Sequence, residues 1–162
     1  MAKMPDDHPT TFERGLSVLE ALAAAQAPDG LTLTELSRRV NMHRSTVFRF
    51  LATLHARGYV TRDATTGAYR LGSQVLALAA TWLNELDIRQ VARPMLRQLC
   101  DSSRELVHLT ILDQGDVVTV DRIEGLQPVS LQTGIGNRRP AYCTAAGKAM
   151  LAFLPAAEAD RI

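Results

Sequence analysis

At 162 residues, with 46% hydrophobic and 22% charged side chains and a net charge of +1, the chain has the make-up of one ordinary globular domain or two small ones, not of a disordered segment. No apolar run approaches the roughly 18 residues a membrane span needs, and the opening MAKMPDDHPT lacks the apolar stretch of a signal peptide, so residues 1–9 read as a polar tail. Cys100 and Cys143 are the only cysteines and sit in no metal or redox pattern, which points to reduced thiols in the cytoplasm.

Thr10 followed by Glu13 fits a capping box, in which each side chain satisfies a backbone N–H at the start of a helix. Phe12, Leu16, Leu19 and Leu22 or Ala23 then recur at helical spacing. This predicts an amphipathic first helix with those residues inward, ended by Pro28, Asp29 and Gly30. Thr32 and Glu35 form a second capping box, opening a short helix with Leu33, Leu36 and Val40 inward. Asn41 tolerates the left-handed backbone that closes a helix. Met42 and His43 complete a turn, and a third helix is expected from about Arg44 to Arg57. Val47, Phe50, Leu51 and Leu54 would face its core.

Charge is concentrated over this stretch. Residues 31–62 carry Arg38, Arg39, Arg44, Arg49, Arg57 and Arg62 against the single acid Glu35, although the whole chain is nearly neutral. A basic face on a helix-turn-helix pattern is suited to docking on nucleic acid. At about 100° per residue, the face opposite Val47 and Leu51 is centred on Ser45, Arg49 and Ala52, with Phe48 at its edge. Small residues permit close approach to a groove, an arginine matches guanine O6 and N7, and an apolar edge meets the thymine methyl. Arg44 and Thr46 lie towards the flanks near the helix start, where hydroxyls and amides meet phosphate. A solvated helix face with two arginines is the plain alternative for that helix alone.

The following residues favour the nucleic-acid reading. Gly58 can end the helix, Tyr59 to Arg62 and Ala68 to Leu71 read as two short strands, and Asp63 to Gly67 reads as their turn. A hairpin placed there is the wing of a winged helix-turn-helix, with Arg62 and Arg70 set for backbone phosphate. After Gly72, a helix from Ser73 carries Val75, Leu78, Ala79, Trp82 and Leu86 on one stripe. That face can pair two copies of the chain or pack within one. Ile88, Val91, Met95 and Leu99 continue into a further helix that Pro94 either kinks or splits.

From Glu105 the period changes to two. Val107, Leu109 and Ile111 form a strand, Asp113 to Asp116 a turn, Val117 to Ile123 a returning strand, and Val129 to Gln132 a third. The loop from Gly134 to Cys143 leads to a helix running from near Thr144 to Leu154. The first N–H groups of that helix suit a carboxylate. Tyr142 and Cys143 could line a pocket wall beside Thr144 and Ala145, and Arg138 or Arg139 could add a charge-assisted contact. Alternatively, Thr144 is simply an N-cap and the arginines are solvated. His108 reads as a half-buried structural histidine and Lys148 as exposed or paired. Cys143 lacks a neighbouring base for nucleophilic chemistry.

Together these segments resemble the IclR family of bacterial transcriptional regulators. The matching pieces are ERGLSVLEAL, LTELSRRVNMHRSTVFRFLATLHARGYV, YRLG, RPMLRQLCDSS, VVTVDRIEG and GNRRPAYCTAAGKAMLA. The resemblance implies an α+β chain: a winged helix-turn-helix over 10–72, a linker and dimerisation helix over 73–86, and a GAF-like effector domain over 87–162. Family members run on past the position of Ile162, so the effector domain is expected to be incomplete and the chain a fragment of a longer regulator.

It further implies that Ser45, Thr46, Phe48 and Arg49 read operator DNA and that the loop reaching Tyr142 to Ala145 lines the effector pocket. RPAYCTAAGKA is similar to members governing aromatic-acid breakdown. The expectation is a cytoplasmic, sequence-specific regulator. Its partners would be double-stranded operator DNA, a small organic acid, and itself as a homodimer or dimer of dimers, with no membrane and no cofactor. A truncated partner that pairs with and modulates a full-length regulator is the alternative. An enzyme using His108 and Cys143 is a lesser one, since no triad, metal set or phosphate loop is present.

Overall fold

The computed structural model describes residues 10–25, 27–126 and 134–162; the polar tail and the strand expected at Val129 to Gln132 lie outside the described residues. Contacts divide the chain into two compact units, Met1–Trp82 and Leu83–Ile162.

In the first unit, α1 (Thr11–Ala24) and α2 (Leu33–Arg39) both begin with complete capping boxes, Thr10 with Glu13 and Thr32 with Glu35. Hydrogen bonds from the Thr10 backbone hold the Glu13 carboxyl below its ordinary pKa, and those from the Thr32 hydroxyl do the same for Glu35. Asn41 takes a φ of 49°, turning the chain into α3 (Arg44–Ala56). At the end of α3, Gly58 has a φ of +76°, its N–H bonds to the His55 carbonyl, and the Tyr59 N–H bonds to that of Leu54. Both bonds make a Schellman closure, and its left-handed position is one that glycine occupies without strain.

β1 (Val60–Arg62) and β2 (Tyr69–Leu71) then pair antiparallel, with Thr61 opposite Arg70, and Leu31 adds a bridge to Tyr69. The Asp63 carboxylate fastens the turn between the strands by accepting from the N–H groups of Thr65 and Thr66 and from the Thr66 hydroxyl. Val18, Leu22, Leu31, Leu36, Val47, Leu51, Val60 and Tyr69 form the core.

One expectation fails in α1. Phe12 and Leu16 are 74% and 40% exposed instead of inward. The buried residues of α1 are Val18 and Leu22, with Gly15 half-buried beside the Phe50 ring, 3.6 Å from where a Cβ would stand. The apolar surface of α1 is wider than one stripe, and helix periodicity alone does not say which edge of it docks.

α4 (Ser73–Asn84) spans the division between the units and has no buried residue. In the second unit α5 (Asp87–Ser103) runs through Pro94 as one helix, so the proline does not split it. β3 (Val107–Asp113) and β4 (Asp116–Ile123) form a hairpin whose two turn residues, Gln114 and Gly115, both have positive φ. That conformation follows the natural strand twist. β4 is the middle strand of the order β3-β4-β5 and is buried without a break from Val117 to Asp121. β5 (Arg138–Pro140) is a strand where the sequence suggested only loop. The single helix expected from Thr144 to Leu154 is instead α6 (Ala145–Leu151), preceded by a 3-10 turn at Ala141–Cys143 and followed by α7 (Ala156–Ala159). Pro155 takes the N-cap of that last short helix.

Candidate nucleic-acid interface and effector loop

α3 is oriented by its core face. Val47 and Leu51 have no exposed surface, Phe50 and Leu54 are half-buried, and Ser45, Phe48, Arg49 and Ala52 are exposed. Arg44 is exposed at the first helical position, Thr46 is half-buried, and Arg38 is exposed on α2. Among the described residues Arg44 and Arg49 form no ion pair with an acid, so their charge is available to a partner.

On the wing, Arg62 is laid over the Tyr69 ring at 5.5 Å, and its Nε donates to the Gly67 carbonyl at 3.5 Å. Both contacts hold the guanidinium along the hairpin. Arg70 meets Asp29 at 4.0 Å, but the acid is 98% exposed, so the pair is loose. Sequence reasoning missed His43, which is the N-cap of α3. Histidine is outside the usual capping set, and only its place two residues before Ser45 could have signalled the role.

The loop expected to meet an effector is built differently from its sequence reading. Arg138 donates to Asp113 at 2.7 Å, to Asp116 at 3.1 Å and to the Asp113 carbonyl at 3.0 Å. These bonds, Asp113 first, raise its pKa above the usual guanidinium value. Its charge therefore ties β5 to the β3–β4 turn and is shared with two acids, a partnership the sequence reading did not foresee. Arg139 is exposed.

Thr144 caps α6, its hydroxyl accepting from the Gly147 N–H at 3.0 Å, and Ala145 is exposed at the first helical position. The Cys143 thiol donates to the Pro140 carbonyl at 3.2 Å. Gly147 fixes this turn: a Cβ there would come within 2.1 Å of the Ala141 carbonyl oxygen, so α6 can pack on it only through glycine. Tyr142 is 62% exposed and borders an open groove of about 630 Å³ that also includes Asp116 and Glu158. Arg161 lines the same groove, and Asp116 is already paired with Arg138, so the groove carries charges of both signs.

His108 is half-buried on β3 opposite Arg122, and burial first, then the Arg122 charge, lower its pKa. Asp121 is a second residue that sequence reasoning passed over. It is buried on β4, 3.9 Å from Arg89 and 3.8 Å from Arg93 on α5. Among the described residues no group of three or more His, Cys, Asp or Glu side chains could hold a metal ion, and no helix is long and apolar enough to cross a membrane. On α4, Val75 is half-buried, while Leu78, Ala79 and Trp82 are exposed, the tryptophan at 46%.

Two family models together account for nearly all of this architecture. Residues 11–64 match the IclR helix-turn-helix domain, and residues 80–162 match the C-terminal domain of the bacterial transcriptional regulator IclR. The chain belongs to the IclR family. IclR-family members are transcriptional regulators and not enzymes, with an N-terminal helix-turn-helix domain and a C-terminal effector domain.

Among similar curated proteins, the HTH-type transcriptional regulator KipR of Bacillus subtilis is 38% identical over 80% of this chain and 52% of its own length. KdgR of Escherichia coli is 33% identical over 97% of this chain and 60% of its own. The chain thus spans between about half and three-fifths of the length of these relatives. Among solved structures, a putative transcriptional regulator from Rhodococcus has a TM-score of 0.73 at 34% identity, covering 93% of this chain and 58% of that one. An IclR homologue from Microbacterium hydrocarbonoxydans, complexed with 4-hydroxybenzoate, has a TM-score of 0.78 at 25% identity, covering 94% and 62%.

Proposed function

We propose that this IclR-family chain binds operator DNA through α3 and the wing, and that its second unit belongs to a domain sensing a small organic acid. The carrying observation is the orientation of α3. Val47 and Leu51 are fully buried, which leaves Ser45, Phe48 and Arg49 on the outward face. An α-helix fits the major groove, and these residue types match its donor, acceptor and methyl pattern. Arg38, Arg44 and Thr46 at the rim, with Arg62 and Arg70 on the wing, supply phosphate contacts and hence affinity that falls with salt.

Pairing of two copies along Val75, Leu78, Ala79 and Trp82 would present two such heads to a near-palindromic site. An apolar face on a helix without a buried residue supports this. The aromatic-acid class of effector is supported by the bound 4-hydroxybenzoate of the Microbacterium homologue. The loop from Tyr142 through Cys143 and Thr144 to Ala145 is its proposed wall. A protein acting on an operator works where the chromosome is, in the cytoplasm.

Footprinting on the DNA flanking the chain's own coding sequence tests the first claim. A protected near-palindrome, lost with Arg49→Ala, is expected, whereas uniform weak protection along the whole fragment would reduce the chain to a non-specific polycation. Calorimetry with 4-hydroxybenzoate and with an aliphatic acid of equal charge tests the second. Binding of neither removes the organic-acid assignment.

A further inference from the structure

At the amino end of α3 the roles of two side chains follow from counting hydrogens. His43 caps the helix, its Nδ1 accepting from the Ser45 backbone N–H at 3.4 Å. The same Nδ1 lies 2.8 Å from Ser45 Oγ. A backbone N–H only donates, so Nδ1 holds a lone pair there and the neutral ring keeps its proton on Nε2. A bare Nδ1 cannot donate, and the Ser45 hydroxyl must therefore donate to it. Serine has one hydroxyl hydrogen and two lone pairs. With that hydrogen committed to His43, Ser45 offers only lone pairs to whatever approaches the exposed face of α3.

We infer that His43 is a positioning residue that makes Ser45 an acceptor-only reader, selective for a base carrying an exocyclic amino group in the major groove. This rests on α3 being the groove helix proposed above. Adenine N6 and cytosine N4 are the amino donors displayed there, whereas guanine and thymine present O6 and O4, which only accept. Phosphate oxygens are likewise acceptors, so a hydroxyl without a free hydrogen is a poor phosphate ligand. Ser45 is thereby assigned to a base, and the neighbouring Arg44 and Thr46 are left for the backbone. Both His43 and Ser45 are exposed, so the pair can meet DNA without rearrangement of the core.

Selection of binding sites from a pool of randomised duplexes, with the full chain and its variants at one salt concentration, tests this. The wild-type consensus should contain one position enriched in adenine or cytosine about three- to tenfold, the worth of one hydrogen bond. Ser45→Ala should lose that preference. His43→Ala should keep the rest of the consensus but admit guanine and thymine at the same position, because the freed hydroxyl can then donate. Should His43→Ala lose folded structure by circular dichroism, His43→Gly serves in its place, since glycine is nearly as good an N-cap as the polar residues. A residue acting only as a helix cap would weaken binding to every sequence alike and leave the base preference intact. An unchanged preference in the folded His43 variant, or guanine or thymine at the Ser45-dependent position of the wild type, overturns the inference. A wild-type pool that enriches no sequence overturns the DNA-binding reading on which it stands.

Discussion

Replacing Arg49 by alanine separates base reading from mere attraction to phosphate. Arg49 is exposed and forms no ion pair among the described residues, and its neighbours Val47 and Leu51, not Arg49 itself, hold α3 to the core. Alanine is at least as good a helix former, so the fold should change in stability by less than about 0.5 kcal/mol. Arg49 lies one turn beyond Ser45, about 6 Å along the axis, which corresponds to roughly two base-pair steps. A guanidinium there can engage guanine O6 and N7 together, a contact worth about 1–3 kcal/mol or roughly 5- to 150-fold in Kd. If it met phosphate instead, its loss would weaken binding to all sequences alike and reduce the slope of log K against log salt by about one. Fluorescence anisotropy on a selected duplex and on a scrambled one, each over a range of salt, distinguishes the two. The expected result is a loss confined to the selected duplex with the slope little changed. Equal losses on both duplexes, with a shallower slope, would refute base reading by this residue.

Three further outcomes are expected. The Glu35 carboxyl is held below the ordinary value of 4.5 by hydrogen bonds from Thr32, so it stabilises the fold above that pH, and this contribution is lost as pH falls through the lower folded-state value. The melting temperature should therefore decline on acidification, and less steeply for Glu35→Gln; parallel curves would remove Glu35 from that linkage. Asp121→Ala should destabilise the second unit by about 2–4 kcal/mol in urea unfolding, since it leaves the largely buried Arg89 without its acid, with Arg93 already half in solvent. A loss below about 1 kcal/mol would make the buried carboxylate dispensable. Trp82→Asp should weaken self-association in sedimentation, and an unchanged profile would take α4 out of the proposed contact between copies.

The first unit was legible because its signals are local. Thr10 with Glu13 and Thr32 with Glu35 declare two helix starts within four residues each, and both boxes form as written. Asn41 and Gly58 mark helix ends through backbone conformations that few residues accept. With α3 bounded in this way, arithmetic on 3.6 residues per turn placed Val47 and Leu51 inward and Ser45 and Arg49 outward. The misreading of Phe12 has the same origin in reverse. Several helix edges were apolar enough to dock, and the edge that does, Val18 and Leu22, joins a core with Leu36, Val47, Leu51 and Tyr69, residues distant in sequence.

The second unit resisted for want of such local marks. Arg138 finds its acids 22 and 25 residues back along the chain, and no period or cap announces a partner at that distance. Read alone, an arginine in a glycine-rich loop looks like a free charge awaiting an anion. Placed on β5 beside the β3–β4 turn, it satisfies two carboxylates that would otherwise repel each other across the hairpin end, where Asp113 and Asp116 stand directly opposite. An anion approaching this loop meets a guanidinium whose charge is already shared between two carboxylates, and moving Arg138 to it would leave Asp113 and Asp116 facing each other uncompensated.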